Sequence, residues 1–145
     1  MGNLIAIDPG ANGGISVLHD VGVIVHKMPE TAGDLCQLLR LYNNPGSYCF
    51  LELVHEMPGQ RGMFNFGRGY GHLEMALLML NIPTETVSPQ KWIKYHALGT
   101  KNGMTGTEWK NKLKAKAQML YPQINVTLWC ADSLLILDYA INKRK

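Results

Sequence analysis

A few acidic residues lie inside otherwise apolar stretches of the chain: Asp8, Glu52, Glu74, Asp132 and Asp138. A carboxylate placed there loses hydration, and the loss is normally offset by hydrogen bonds, a cation or a metal. Asp8 ends the run "LIAI" and is followed at once by Pro9 and Gly10. Glu52 comes near the end of "YCFLELV", and Asp132 falls in the first turn of the run "LWCADSLLILDYAI". If the first two end neighbouring strands and the third leans back from a helix N-terminus, where the dipole favours its charge, three hard oxygen ligands converge from three separate elements. No His or Cys accompanies them, so the chemistry is that of magnesium or manganese rather than zinc or copper. The same placements also fit an Asx-turn at Asp8, a strand-end glutamate at Glu52 and an ordinary helix acid at Asp132. Asp138 lies about 240° further around the last helix and points elsewhere. Glu74 reads as a helix or interface acid, and Glu56, after His55, is a further candidate for the cleft.

Positioning these groups requires an α/β arrangement. Leu4 to Ile7 is strand-like, Gly10 to Gly14 is a turn, and Ile15 to Leu18 with Val21 to Val25 reads as a hairpin. Thr31 caps a helix to about Tyr42, stopped by "NNPG". Tyr48 to Val54 alternates as a fourth strand, and Thr84 to Val87 is a short fifth. The stretch "HEMPGQRGMFNFGRGYG" is Gly-rich and aperiodic, so it reads as a loop leading into a helix from about Tyr70 to Leu80. Ser88 and Pro89 open "PQKWIKYHAL", in which "WIKY" is a packing face. Thr105 and Glu108 have capping-box spacing for "EWKNKLKAKAQMLY", which Pro122 ends. The order predicts one domain over residues 1–145, a mixed five-stranded sheet flanked by helices.

Charge is unevenly divided. Residues 1–90 carry −4 and residues 91–145 carry +7, which suits an acidic working centre beside a positive docking surface for a polyanion. Lys110, Lys112, Lys114 and Lys116 spread over neighbouring faces of one helix, and Lys91, Lys94 and Lys101 extend the surface. The alternative is a solvated lysine-rich face. Arg61, Phe64, Phe66 and Arg68 sit among glycines that let a backbone approach DNA, with rings to stack on opened bases and guanidinium groups for phosphate. The helix around Leu73, Met75, Leu77, Leu78 and Leu80 is apolar on more than one side, a surplus that a monomer core could absorb or a two-fold interface would explain.

At 145 residues the chain buries about two-thirds of its unfolded surface and needs no staple. Cys36, Cys49 and Cys130 have neither zinc nor disulfide spacing and read as reduced thiols of a cytosolic chain. The histidines, His19, His26, His55, His72 and His96, show no ligand spacing either. The start lacks the basic region of a secretory signal, Ala6 stands where a myristoylation signal needs Ser or Thr, and "MALLMLNIP" is too short to span a bilayer.

The segments "IAIDPGANGGIS", "ELVHEMPGQRGMFNFGRGYG", "IPTETVSPQKW" and "ADSLLI", in this order, resemble the RuvC-type Holliday-junction resolvases, particularly their phage-encoded members. The resemblance covers most of the chain, with "MPGQ" through "FGRGYG" the specific part. It implies an RNase H-like fold, a homodimer, and a divalent-metal endonuclease that nicks opposite strands of a four-way DNA junction, in the host cytoplasm if phage-encoded. Its acidic centre falls on Asp8, Glu52 and Asp132, with Mg2+ as cofactor, Mn2+ as substitute and two ions per site. In that arrangement Asp8 bridges the ions, about 4 Å apart, while Glu52 and Asp132 hold one each. The resemblance also takes the 61–68 segment to the junction crossover and makes Lys114 the first choice for a cleft contact. One departure stands out: the family's further metal-binding Asp or His, three residues before the last acid, is here Trp129. Rival readings are a nuclease acting more broadly on flaps or forks, a junction-binding protein with weak catalysis, and an actin-like nucleotide-phosphate domain.

Overall fold

The computed structural model describes residues 2–145. Alternating apolar residues build the first three strands, β1 (Leu4–Asp8), β2 (Gly14–His19) and β3 (Gly22–Lys27), into an antiparallel meander. After helix α1 (Ala32–Tyr42) the chain returns as β4 (Tyr48–Glu52), parallel to β1, and after α2 (Met63–Met79) as β5 (Thr84–Val87), parallel to β4. The sheet order is β3-β2-β1-β4-β5. Helices α3 (Pro89–Tyr95), α4 (Gly106–Leu120) and α5 (Leu128–Lys143) follow. The expected mixed five-stranded sheet flanked by helices is thus observed.

The period-two alternation divides the core. Ile5, Ile7, Cys49 and Leu51 face α1 and α2 with Leu35, Leu39, Leu73 and Leu77. Ala6 and Phe50 face the other way, among Trp92, Leu113 and the α5 residues Leu134, Leu135 and Leu137. Asp8 and Glu52 have the parity of Ala6 and Phe50, so both point to the α5 side. α5 lies over β1 and β2, and the buried hydroxyls of Ser16 and Ser133 share a 2.6 Å hydrogen bond that fixes its position on the sheet.

Several boundaries differ from expectation. β4 stops at Glu52, and β3 begins at Gly22 rather than Val21. The largest difference is that α2 starts at Met63, so Phe64, Phe66 and Arg68 lie on a helix and not in a loop; Arg61 alone of that group precedes it. Glycines at 67, 69 and 71 weaken a helix and hide its signal. Packing of Tyr70, Leu73, Ala76 and Leu77, at helical spacing, overrides them. Asp132 is the fifth residue of α5, past the first turn, so the dipole contributes less than its expected position implied. Thr31 and Thr105 accept from the backbone N–H of Asp34 and Glu108, whereas Ser88 makes no side-chain cap bond.

All three cysteines are free, with Cys49 and Cys130 buried. Among the described residues no helix is long and apolar enough to cross a membrane.

Candidate active site

β1 and β4 run parallel and in register through the pair Ile7 and Leu51. One step further, Asp8 and Glu52 end adjacent strands on the same face. α5 brings Asp132 over them, close enough that its charge raises the pKa of both.

Two glycines make that approach feasible. A Cβ on Gly13 would lie 2.0 Å from the Asp8 carbonyl oxygen, and one on Gly14 would lie 2.6 Å from the Trp129 carbonyl oxygen. The Asn12-Gly13-Gly14 step therefore lets the turn fold back on Asp8 and lets the first turn of α5 close against β2. Gly10, at a φ of 108°, supplies the left-handed step after Pro9.

Asp8 and Asp132 line a cleft of about 830 Å³ together with Lys27, Phe66, Lys110 and Trp129. Burial, followed by the charges of Asp132 and Glu52, holds the Asp8 carboxyl well above the ordinary carboxylate range, against a smaller opposing pull from Lys110. Burial pushes Asp132 up to about 6, with Lys110 opposing. Burial also pushes Glu52 up to about 7; the Trp92 hydrogen bond lowers it and the Asp132 charge raises it. Glu52 is buried and Asp8 and Asp132 are half-buried, and three neighbouring acids that resist ionisation together are relieved either by protons or by added positive charge.

In donor chemistry this set fits a hard divalent cation, being oxygen-only and anionic. In placement the fit is incomplete: among the described residues no three His, Cys, Asp or Glu side chains stand together as a ready-made metal cage. Glu52, only 8% exposed, is set back from the cleft lining, and its Oε2 accepts a 2.7 Å hydrogen bond from the Trp92 indole. "WIKY" thus packs as expected, but it also reaches a site acid, which the sequence reading missed. The available signal was that a buried indole N–H needs an acceptor.

The basic residues separate. Lys110 stands on the cleft wall, whereas Lys114, the first choice from sequence, is absent from the lining. Lys112 donates its ammonium to the Leu98 carbonyl, Lys116 lies near enough to His96 to lower its pKa, and Lys101 is exposed in the turn before α4. The Trp129 ring faces the cleft with the Lys27 ammonium 6.0 Å from its centroid. Arg61 and Arg68 line an adjoining groove of about 960 Å³ that shares Gly10, Gln60 and Phe66 with the cleft, while Phe64 is 81% exposed. Asp138 points away, 4.0 Å from His96, whose ring nitrogen Nε2 meets the Leu135 carbonyl in the core.

The raised Glu52 pKa has a measurable consequence. In the metal-free protein the folded state holds the Glu52 proton more tightly than the unfolded chain, so ionising it costs stability. That cost is absent below about pH 4.5 and complete above about pH 7. Glu52→Gln, which keeps an acceptor for Trp92, is expected to gain on the order of 3 kcal/mol over wild type across this interval. Urea unfolding at several pH values in EDTA checks it. A wild-type-to-variant difference that stays flat with pH would refute it.

No family model and no curated protein matches the sequence. Solved structures do match. Thermus thermophilus RuvC in complex with Holliday junction substrate is 15% identical, with a TM-score of 0.65 over 99% of this chain and 96% of that one. A second Thermus thermophilus RuvC structure is 17% identical, with a TM-score of 0.62 over 98% and 95%. The chain therefore has a RuvC-like, RNase H-like fold.

Proposed function

We propose that this protein is a divalent-metal-dependent, structure-selective endonuclease that resolves four-way DNA junctions by paired nicks. The observation that carries the reading is that Asp8 of β1 and Asp132 of α5 share one cleft on a RuvC-like fold, with Glu52 of β4 set back behind them but within reach of their charges. Asp8 occupies the centre of the set, with Glu52 on the β4 side and Asp132 above, and these three would hold Mg2+, or Mn2+ in its place. Metal bound there supplies Lewis-acid stabilisation of the attacking and departing oxygens and lowers the pKa of the nucleophilic water. Asp8 and Asp132, half-buried and raised in pKa, would bind a cation in competition with protons. Lys110 and Lys27 hold the phosphate backbone at the cleft wall, and Phe66, Arg61 and Arg68 carry the strand into the adjoining groove.

Paired nicks need two sites, and α2 offers the face for a homodimer. Phe64, Met75, Leu78 and Met79 are exposed along it, and Gly67 and Gly71 leave open space beside them.

The decisive experiment is Mg2+-dependent cleavage of a mobile four-way junction alongside a flap, a fork and duplex DNA. Preferential paired cutting of the junction supports the reading. Equal cutting of all branched substrates would replace it with a broader nuclease. Trp129 in the cleft favours a second reading, a junction-binding protein with weak catalysis, and tight junction binding without Mg2+-dependent cutting would establish that instead.

Lys110→Ala is expected to weaken junction binding at every sequence and to reduce the slope of log affinity against log salt by about 0.9, one phosphate contact. Fluorescence anisotropy across a salt series reads it directly. An unchanged slope would remove Lys110 from the interface.

A further inference from the structure

The indole N–H of Trp92 donates 2.7 Å to Glu52 Oε2, and both side chains are buried. Trp92 completes the first turn of α3, three residues after Pro89, and is buried in one cluster with Phe50, Val87, Leu98 and Leu113. A ring so enclosed cannot swing to follow the carboxylate, so the carboxylate takes its orientation from the ring. The backbone of Glu52 is fixed independently: the Tyr70 hydroxyl donates to its carbonyl at 3.1 Å, and the next residue, Leu53, donates its N–H to the Val87 carbonyl at 2.8 Å. Glu52 is thus held from α2 and β5 through its main chain and from α3 through one oxygen.

We infer that Trp92 is a positioning residue for Glu52, fixing the carboxylate through Oε2 and presenting Oε1, which accepts no side-chain hydrogen bond among the described residues, toward the Asp8 side for a cation. The inference rests on the metal-site reading above and adds to it that α3 sets the direction in which the Glu52 carboxylate would be offered to a cation. Partners that orient a metal-binding carboxylate commonly change metal affinity by about 10- to 100-fold when removed.

The test uses the full chain and Mn2+, titrated calorimetrically without DNA. Trp92→Phe keeps an aromatic ring and deletes the donor; it is expected to weaken Mn2+ binding about tenfold. In a Glu52→Gln background the same change is expected to cost nothing further, because its effect passes through Glu52. Val126→Ala, a cavity elsewhere in the same cluster that keeps both the Trp92 indole and the Glu52 carboxylate, is expected to lose stability and keep wild-type Mn2+ affinity. Wild-type affinity in Trp92→Phe, or an equal loss in Val126→Ala, would overturn the assignment. A metal-free signature covers the case in which Trp92→Phe does not fold: the Trp92 indole N–H resonance is expected to move upfield and exchange faster in Glu52→Ala. An indole signal indifferent to Glu52→Ala would overturn the inference by itself. Absence of Mn2+ binding in the wild-type protein would instead sink the metal-site reading, with the indole signal still deciding whether Trp92 holds Glu52.

Discussion

Asp8→Asn is expected to lower Mg2+-dependent junction cleavage by about 10³-fold or more while junction binding persists or tightens. Asp8 is the acid on which the other two converge. It sits on the central strand β1, and its pKa is raised by burial first and then by both neighbouring carboxylates. Replacing it with a neutral isostere removes one anionic oxygen donor from the set and one negative charge from the cleft proposed to face DNA, so catalysis and binding are expected to separate. The same substitution is expected to stabilise the metal-free protein. A carboxyl whose folded pKa lies above its unfolded value costs stability once pH passes the folded value, and asparagine has no such cost. Single-turnover cleavage, anisotropy binding and urea unfolding of one variant thus give three signs: down, unchanged or up, and up. Cleavage at the wild-type rate would refute the role of Asp8. A destabilised metal-free variant would show that Asp8 is held by compensating hydrogen bonds and not strained by its neighbours.

The second large effect is on the backbone that carries Asp8. Gly13→Ala is expected to destabilise the fold by about 3 kcal/mol or more, because the new Cβ would lie 2.0 Å from the Asp8 carbonyl oxygen and 3.0 Å from that of Pro9. Both are main-chain atoms on a short turn, so relief requires opening the turn and withdrawing Asp8 from the cleft. Loss of cleavage is therefore expected even at temperatures where the variant remains folded. Chemical denaturation with parallel cleavage assays measures both, and a variant within 1 kcal/mol of wild type that cuts normally would contradict the packing described here.

These two residues also mark how far the sequence can be read. Asp8 was legible because a carboxylate at the end of "LIAI" contradicts its surroundings, and contradiction of a burial pattern is a local signal. Glu52 and Asp132 were legible for the same reason. The strands declared themselves by alternation, and α1 and α4 by their Thr caps. α2 did not: its glycines oppose helix formation locally, and the packing of Tyr70, Leu73, Ala76 and Leu77 against the rest of the fold outweighs them. Gly13 and Gly14 read only as part of a turn, because the atoms that exclude a Cβ belong to Asp8 and to Trp129, more than a hundred residues away from each other.

By itself the sequence determined which side chains lose hydration on folding and on which face of an element each lies, since both follow from periods of two and 3.6 residues. Tertiary structure alone decided which lysine reaches the cleft, which oxygen of Glu52 is held by Trp92, and how near α5 brings Asp132 to Asp8. Those outcomes depend on where α3, α4 and α5 cross the sheet. Crossing positions are set by the summed packing of many side chains, such as Ser133 against Ser16, and no short stretch of chain encodes that sum.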